Sequence, residues 1–313
     1  MIKAIMTDEN QNNYDQGPND HLPVMLDEVL EYMDPQSNDI FVDGTLGMGG
    51  HAQKFLQSIG SKGLLIGMDR DEKSLSKATQ TLSAFSHQCH FVHKDFRYID
   101  EALNDLNIQK VDGIFLDLGI SSYQLNNPER GFSFRKAGPL DMRMDQNGPI
   151  SAYDLINSLS EKEISSILRE FGEERWSNRI ARLIVSERSK QPIELTEDLC
   201  RIVQKAIPMK GKPQRIHPAT RTFQAIRIAV NRELETLEIA IDKCISLLNP
   251  GGRLGIISFH SLEDRIVKNK FKMFSKANLA RCLVKRPLRP TEKEVSINPR
   301  ARSARFRIIE RNG

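Results

Sequence analysis

The sequence predicts an α/β fold in which a parallel sheet is covered by helices and an all-helical lobe is inserted into the sheet. Short apolar runs alternate with amphipathic stretches from residue 40 to residue 117, helical periodicity then interrupts the alternation for about 100 residues, and an apolar run returns at residues 253–259. Such alternation is typical of strands joined by crossover helices. The expected organisation is a disordered tail over 1–20, a discontinuous sheet domain over 21–125 and 219–313, and an inserted substrate-recognition lobe over 126–218.

Each of the first four predicted strands has an aspartate at its end or just after it. The runs are Ile40–Asp43, Leu64–Asp69, His90–His93 followed by Asp95, and Gly113–Asp117. The intervals between these aspartates are 26, 26 and 22 residues, which is enough for a strand, a turn and a crossover helix. Since ligands of parallel sheets bind beyond the carboxyl ends of the strands, we expect the aspartates at a binding edge.

The predicted lobe contains helices and turns but no convincing strand. Ser160-Glu-Lys-Glu163 has the pattern of a capping box, and the helix that it opens is expected to stop before Gly172. Further helices are predicted from Glu173 to about Ser189 and from Thr196 to Ile207.

After Pro218 the sequence predicts one long helix and the return of the sheet. Apolar residues from Phe223 to Leu248 follow one another at steps of three or four, which is the spacing of a single buried helix face. A fifth strand is predicted over Arg253–Phe259, and Ser303–Ile309 has the alternation of a last edge strand.

The composition excludes several classes of protein. The 313 residues are 39% hydrophobic and 27% charged, which excludes disorder as the main state. The four cysteines lie far apart without CxxC spacing, so we expect neither a disulfide framework nor a metal site. The sequence has no apolar run near the roughly 18 residues of a membrane span, and its start is too polar for a signal peptide. We therefore expect a cytoplasmic protein that does not bind membranes.

A glycine-rich loop follows the first strand and predicts an adenosine-type cofactor site. The loop is Asp43-Gly-Thr-Leu-Gly-Met-Gly-Gly50, and Asp69 at the end of the second strand is placed to accept hydrogen bonds from a ribose diol. The run from Gly47 to Ala52 also satisfies the relaxed GxGxxA pattern of nicotinamide enzymes. Asp43 beside the glycines would repel a pyrophosphate, whereas a sulfonium ligand tolerates it, which favours S-adenosylmethionine.

Seven motifs make the chain resemble the bacterial 16S ribosomal RNA cytosine-N4 methyltransferases of the MraW/RsmH family. They occur in the family's order across nearly the whole chain. The motifs are His21–Glu28, Asp43–His51, Asp117–Ser122, Arg130–Arg135, Gly138–Asp145, Phe259–Val267 and Asn298–Ala304.

The resemblance implies a class I, Rossmann-like methyltransferase sheet, S-adenosylmethionine as the donor, and methylation of the exocyclic N4 amine of a cytidine in the decoding region. It places the donor-binding positions on Gly49, Gly50, His51, Asp69, Phe96, Asp117 and Gln124. The glycine loop and Asp69 also follow from the residues themselves, as does Phe96, which comes just after the third strand and can frame an adenine. His51 and Gln124 depend on the resemblance alone.

Asp117 is the candidate catalytic residue. The amino nitrogen of cytosine is a poor nucleophile, because its lone pair is delocalised into the ring, and an acceptor must take its proton as the methyl arrives. Asp117, or the backbone carbonyls of Leu118 and Gly119, could provide that acceptor. We expect Asp117→Ala to abolish transfer and to leave the fold intact.

Two basic stretches are candidates for contacts with ribosomal RNA. The net charge of +4 is small, but residues 281–313 contain ten basic residues against three acidic ones. The expected RNA contacts are Lys210, Lys212, Arg215, His260, Arg300, Arg302 and Arg305. A solvated charged face is the alternative for the basic residues, and a structural role is the alternative for His260. Phe132 and Phe134 either stack on an extruded base or pack the lobe onto the sheet.

Two other functions remain open at this point. A non-enzymatic RNA-binding protein would not bind S-adenosylmethionine, and a nicotinamide-dependent oxidoreductase would bind NADH at the glycine loop. The expected partner is the RNA of the small ribosomal subunit, within an assembled subunit, and the sequence leaves a homodimer open.

Overall fold

The computed structural model describes residues 22–208 and 217–313. Its centre is a seven-stranded sheet in the order β3-β2-β1-β4-β5-β7-β6, in which β1 to β5 are parallel and β7 is antiparallel to both β5 and β6. The strands are β1 (Ile40–Asp43), β2 (Leu64–Asp69), β3 (Cys89–His93), β4 (Val111–Asp117), β5 (Leu248–Ser258), β6 (Ala280–Cys282) and β7 (Arg305–Arg311).

Thirteen α-helices occur in the described residues. Before the lobe they are α1 (Leu26–Met33), α2 (Gly50–Ile59), α3 (Glu72–Thr81), α4 (Ile99–Asp105) and α5 (Ser122–Asn126). Those that follow are α6 (Ala152–Ser158), α7 (Glu161–Gly172), α8 (Ser177–Arg188), α9 (Thr196–Ala206), α10 (Thr220–Asn231), α11 (Glu233–Leu247), α12 (Ser261–Lys276) and α13 (Glu292–Ile297). No helix in these ranges combines the length and the apolar character needed to cross a membrane.

The predicted parallel sheet is confirmed, and one prediction about its edge is wrong. Strands β1 to β4 lie where the apolar runs indicated, β5 begins at Leu248 instead of the predicted Arg253, and β7 lies close to its predicted range. However, β7 is not an edge strand, because the three-residue strand β6 pairs with its outer side. Three residues are too few to show an alternation, so the sequence gives no signal for β6.

The two faces of the sheet bury alternate residues of each strand against different helices. Val42 and Ile114 belong to an apolar core with residues of α4, α11 and α12, whereas Phe41 and Phe115 belong to a core with residues of α1 and α2. This is the period of two that a sheet covered on both sides requires. Because β1 pairs with β2 on one side and β4 on the other, the carboxyl ends of these three strands meet at one edge.

The prediction of a single long helix after Pro218 is wrong, because the helix is interrupted at Arg232. Arg232 has a left-handed backbone with φ of 49°, and it separates α10 from α11. The apolar residues of α10 pack in the lobe, and those of α11 pack on the sheet. The spacing of three and four continues through the break because each helix buries one face, but the two faces meet different cores.

The side chain of Asn231 stabilises the interruption between α10 and α11. Its Nδ2 donates to the carbonyl of Met142 at 2.7 Å, and its Oδ1 accepts from the backbone N–H of Met144 at 2.8 Å. By its packing α10 belongs with the lobe, so we place the end of the lobe at Arg232 instead of residue 218.

The lobe helices agree with the sequence except at the junction between α7 and α8. The capping box at Ser160 is confirmed, but α7 continues through Gly172 and ends at Glu173, whose φ is 47°. A turn follows, so α8 begins at Ser177 and not at Glu173 as predicted. The helix predicted from Thr196 is confirmed as α9.

The first and last described segments of the chain meet. The backbone N–H of Met25 donates to Glu294 Oε1 at 2.6 Å, and Asn298 Nδ2 donates to the carbonyl of Leu22 at 3.1 Å. Arg300 then reaches Asn126 at the end of α5, with 3.0 Å between Nη2 and Oδ1. Residues on either side of these contacts line the cavity described next.

Candidate active site

A cavity of about 370 Å³ lies at the carboxyl ends of β1, β2 and β4. This volume is within the range of small-molecule sites, which is about 300–1,000 Å³. The glycine loop, Asp69 and Asp117 line one part of it, which we call the donor end. Residues from α10, α11 and the β5–α12 junction line another part: Arg227, Glu233, Phe259 and Glu263.

The glycine loop needs its glycines for backbone shape and for close packing. Gly47 and Gly49 have φ of 54° and 85°, a conformation that residues with a Cβ rarely adopt. A Cβ on Gly44 would lie 2.5 Å from Leu116 Cδ2, and one on Gly50 would lie 2.7 Å from Pro23 Cγ. The loop therefore folds tightly over the end of β1 and leaves its inner surface open to the cavity.

Asp69 lies in the cavity as the sequence predicted, and backbone groups hold its carboxylate. Oδ2 accepts from the N–H of Gly47 and Oδ1 accepts from the N–H of Asp71, both at 2.8 Å. Burial raises its pKa to about 6 despite these hydrogen bonds. Each oxygen keeps a second lone pair, so the pair of oxygens can still accept from a diol. Phe96 is also a lining residue.

Asp117 lines the cavity, and the charge of the buried Asp43 acts on it, although Asp43 is not itself among the lining residues. Burial raises the pKa of Asp43 to about 7, and burial together with the charges of Asp43 and Glu263 raises that of Asp117 well above its usual range. Asp117 Oδ1 is buried without a hydrogen-bond partner among residues 22–208 and 217–313. Both carboxyl groups therefore favour the neutral form until a positive charge or a hydrogen-bond donor enters.

His51 and Gln124, which depended on the resemblance alone, both line the cavity. His51 lies in the first turn of α2, with Nδ1 3.8 Å from Asp117 Oδ2 and Nε2 2.9 Å from the carbonyl of Val24. Gln124 Nε2 donates to Asp71 Oδ2 at 2.8 Å. Neither arrangement can be read from periodicity, because the contacts join distant parts of the chain.

A buried ion pair that the sequence did not predict fixes the position of the Gln124 side chain. Arg130 is fully buried, and its Nη1 donates to Asp71 Oδ2 at 2.6 Å. Its Nη2 donates to the carbonyls of Arg143 and Met144, at 2.9 and 2.8 Å. The arginine thus ties the turn after β2 to the entry of the lobe. The signal available in the sequence is that Arg130 opens one of the seven motifs.

The ion pair in the other part of the cavity was also not predicted from the sequence. Arg227 binds Glu233 with 2.9 Å from Nε to Oε1 and 2.8 Å from Nη2 to Oε2. Glu263 lies beside them, and His260 is the N-cap residue of α12 behind it. His260 is thus placed by a structural contact, and it is not among the residues that line the cavity.

The predicted RNA contacts have different surroundings. Arg300 lines the cavity mouth, and Arg302 is exposed. Arg305 pairs with Asp264 at 3.0 Å, so an RNA contact there competes with an ion pair. The other predicted contacts lie outside the described residues: Lys210, Lys212 and Arg215. In the lobe, Phe132 is buried and Phe134 stacks on His217 at 4.5 Å between ring centroids, which supports packing over base stacking.

The donor end fits S-adenosylmethionine better than a dinucleotide. Asp69 and Asp117 line the cavity, Asp43 interacts electrostatically with both, and the described part of the chain places no lysine or arginine within ion-pair distance of Asp43 or Asp69. A sulfonium and an ammonium group would be attracted there, and a ribose diol suits Asp69. A pyrophosphate would instead meet three carboxylates. The residues present therefore fit the donor that the sequence favoured.

Comparison with known proteins identifies a family and several relatives of this chain. The model of the MraW methylase family matches residues 18–312. The chain is 47% identical over 306 residues to a protein of Geobacter sulfurreducens named ribosomal RNA small subunit methyltransferase H, and 45% identical over 307 residues to one of the same name from Halothermothrix orenii. Each alignment covers 93% of this chain and 98% of the relative. A solved putative rRNA-methylase from Clostridium thermocellum aligns with 92% of this chain and 93% of its own length, at 11% identity and a TM-score of 0.46.

Proposed function

This chain belongs to the MraW methylase family, and we propose that it methylates the exocyclic N4 amine of a specific cytidine in the decoding region of 16S ribosomal RNA. It is a methyltransferase, and its methyl donor is S-adenosylmethionine. One observation carries the proposal. Asp117 Oδ1 is buried and lacks a hydrogen-bond partner in the described structure, and Asp117 lines the same cavity as the glycine loop. An acceptor for an amine proton is needed beside the donor.

The role of Asp117 follows from the chemistry of the amine. The bound donor supplies an electrophilic methyl carbon on a positively charged sulfur. The amine nitrogen forms its bond to that carbon as the carbon–sulfur bond breaks, and one amine proton must leave. Asp117 Oδ1 is placed to accept this proton, with Leu118 and Gly119 beside it in the cavity wall. Most of the acceleration then comes from positioning.

The high pKa of Asp117 makes its reactivity depend on what the cavity contains. Burial, Asp43 and Glu263 favour the protonated form, which cannot accept a proton. A positive charge nearby lowers the pKa of a carboxyl group. Asp117 therefore becomes an effective acceptor when the cationic donor is bound.

The substrate assignment is supported by the names of the relatives and by exposed arginines at the cavity mouth. The two curated relatives are named for the ribosomal RNA of the small subunit. Arg300 lines the cavity, and the exposed Arg302 follows it on the segment that joins α13 to β7. A base inside folded RNA must be unstacked to reach Asp117, so contacts with the flanking phosphates are needed to hold the strand. We propose the assembled subunit in the cytoplasm as the substrate.

Transfer of labelled methyl tests the proposal. Small subunits are purified from a strain lacking the enzyme, incubated with the protein and labelled S-adenosylmethionine, and digested to nucleosides for mass spectrometry. We expect N4-methylcytidine, formed faster on subunits than on naked 16S RNA. Label on carbon 5, on a ribose oxygen or on protein would contradict the N4 assignment, and faster reaction of naked RNA would contradict the assembled substrate.

A further inference from the structure

The cavity is also lined by a cluster of four side chains that have not been given a contact with the reacting groups so far. Arg227, Glu233, Phe259 and Glu263 all line it. We call these residues the distal cluster. They come from three different segments, and the break between α10 and α11 brings the first two together, since Glu233 is the first residue of α11.

The charges of the distal cluster are held rigidly. The two hydrogen bonds from Arg227 to Glu233 use Nε and Nη2, which leaves Nη1 outside that pair. The side chains of Arg227 and Glu233 are only 15% and 7% exposed. A bidentate pair of this kind fixes the plane of the guanidinium group. Nη1 is therefore presented in a defined direction.

Glu263 is an ionised carboxylate that faces the same space. Its Oε2 accepts from the backbone N–H groups of Phe259 and His260, at 2.8 and 3.2 Å. Its Oε1 lies 3.2 Å from His260 Nε2. Burial alone would raise the pKa of Glu263, but His260, Arg227 and the Phe259 N–H together lower it below its usual value. The carboxylate thus keeps its charge and retains lone pairs for another donor.

Phe259 provides an apolar surface beside these polar groups. It follows the carboxyl end of β5, and a Cβ built on Gly119 would lie 3.5 Å from its Cδ2. Its ring is therefore next to the loop that follows Asp117. A flat ring in this position is suited to pack against a planar base that presents its amine to Asp117.

A metal site is the competing interpretation of the distal cluster. Ligand atoms of Glu233, His260 and Glu263 lie within 4.8 Å of one another. However, Arg227 already neutralises Glu233 through both oxygens, and its positive charge would repel a cation. The arrangement is better suited to a neutral, polar ligand.

We propose, on the basis of the function proposed above, that Glu263 and Arg227 recognise the amino edge of the target cytosine while Phe259 packs against its ring. An oxygen of Glu263 accepts from the exocyclic N4–H, and Arg227 Nη1 donates to the ring acceptors of the same edge. Cytosine offers one donor next to two acceptors. Uracil has a carbonyl oxygen in place of the amine and an N–H at N3. Its carbonyl oxygen would therefore face the carboxylate of Glu263, and its N3–H would face the N–H of Arg227.

Glu263→Gln tests this assignment because the amide oxygen can still accept from the Phe259 N–H. The probes are small subunits that lack the modification, with either cytidine or uridine at the target position, and S-adenosylhomocysteine is present to prevent turnover. We expect the unmodified enzyme to bind the cytidine subunits about ten-fold more tightly, which is the size of one good base contact. We expect Glu263→Gln to lose this preference and about 100-fold of its turnover, with donor affinity unchanged by calorimetry.

Two further variants make the result decisive. Glu238→Gln alters an exposed glutamate of α11 and is expected to behave like the unmodified enzyme in every assay. Arg227→Lys keeps a positive charge beside Glu233 but removes the third donor, so it is expected to weaken the cytidine preference, and it serves if Glu263→Gln does not fold. Unchanged cytidine preference and turnover in the folded variants would overturn this assignment alone. Absence of N4-methylcytidine with the unmodified enzyme would instead overturn the proposed function.

Discussion

The acids at the donor end of the cavity and those of the distal cluster differ in their ion pairing and in the direction of their pKa shifts. At the donor end, Asp43, Asp69 and Asp117 form no ion pair with a lysine or arginine in the described structure, and their pKa values are raised. At the distal cluster, Arg227 and Glu233 neutralise each other, and the pKa of Glu263 is lowered. Both ends are equally part of one cavity, so burial alone does not explain the difference.

The difference indicates what each end accommodates. The ionised form of a carboxyl group that lacks a countercharge is destabilised until a cation arrives. Such groups therefore favour a positively charged ligand. Charges that are already paired offer hydrogen bonds of fixed direction without attracting a net charge. The first arrangement suits a sulfonium donor, and the second suits a neutral base. Environments that push the pKa values of neighbouring acids apart commonly mark distinct roles in one reaction.

The largest expected effect comes from Asp117, the candidate proton acceptor. Asp117→Asn removes the proton acceptor, so we expect the rate of methyl transfer to fall by about 100-fold to 10,000-fold, the usual contribution of a general base. Single-turnover kinetics with saturating donor and subunits measure this rate.

The stability of the same variant provides the control. Because ionisation of Asp117 is opposed by burial, Asp43 and Glu263, its replacement by asparagine should not lower the melting temperature at pH 8. A variant that melts at the normal temperature and retains full turnover would show that the acceptor is elsewhere, for example at the carbonyls of Leu118 or Gly119.

The ion pair behind the donor end is expected to control stability. Arg130→Met leaves Asp71 buried with hydrogen bonds but no countercharge, which typically costs about 3–5 kcal/mol. Urea unfolding measures the loss. Arg182→Met is the matched control, because Arg182 is 75% exposed and its pair with Glu161 spans 3.7 Å. Such a surface pair contributes at most about 1 kcal/mol. Equal losses in the two variants would contradict the structural role of Arg130.

The pH dependence of donor binding tests the unpaired state of the acids. Asp43 and Asp69, with pKa values of about 7 and about 6, must lose protons to attract a cation. We expect donor affinity to rise about ten-fold from roughly pH 5.5 to 7.5, since one pKa unit corresponds to a factor of ten. Calorimetry in buffers of different ionisation enthalpy should show proton release near neutral pH, and Asp43→Asn should reduce that release.

Stability without the donor should follow the opposite trend. A raised folded-state pKa means that the folded protein binds the proton more tightly than the unfolded chain. The contribution of Asp43 is therefore fully present below its unfolded pKa of 3.8, and it is lost as the pH rises through about 7. Donor affinity that falls with increasing pH would contradict the whole description of this end of the cavity.

The smallest expected effect concerns the outer surface. Neutralising Arg302 should reduce the salt dependence of RNA binding by about one unit of slope and leave donor affinity unchanged. Arg305 pairs with Asp264, which also pairs with Arg307, so Arg305→Gln is expected to change the slope less. Titrations at several salt concentrations measure both slopes. A larger change in Arg305→Gln than in Arg302→Ala would mean that RNA displaces Asp264.

The donor end could be predicted from sequence because its signals are local. A glycine loop after one strand and an acid at the end of the next are close in sequence to the elements that position them, and the strand pattern shows which edge they share. Asp69 and Phe96 were found this way. Their exact partners were not, because Asp71 and Arg130 meet only when the lobe entry folds back on β2.

The distal cluster could not be predicted because it depends on a helix break. The apolar spacing of α10 and α11 is continuous, so it indicates one helix, and in one straight helix Arg227 and Glu233 would lie six residues apart on different faces. The left-handed residue Arg232 brings them together. Nothing in a periodic pattern reports that its two halves belong to different cores.

The meeting of the chain's two end segments has a consequence for synthesis. The cavity wall begins at Pro23 and includes Arg300 and Ser303. The two segments are joined by hydrogen bonds from the Met25 N–H to Glu294 and from the Asn298 amide to the Leu22 carbonyl. A ribosome that has translated only as far as α12 has therefore made the glycine loop and every strand-end aspartate but not the wall beside them. The donor pocket is completed late in translation, so a chain interrupted before α13 is expected to remain inactive.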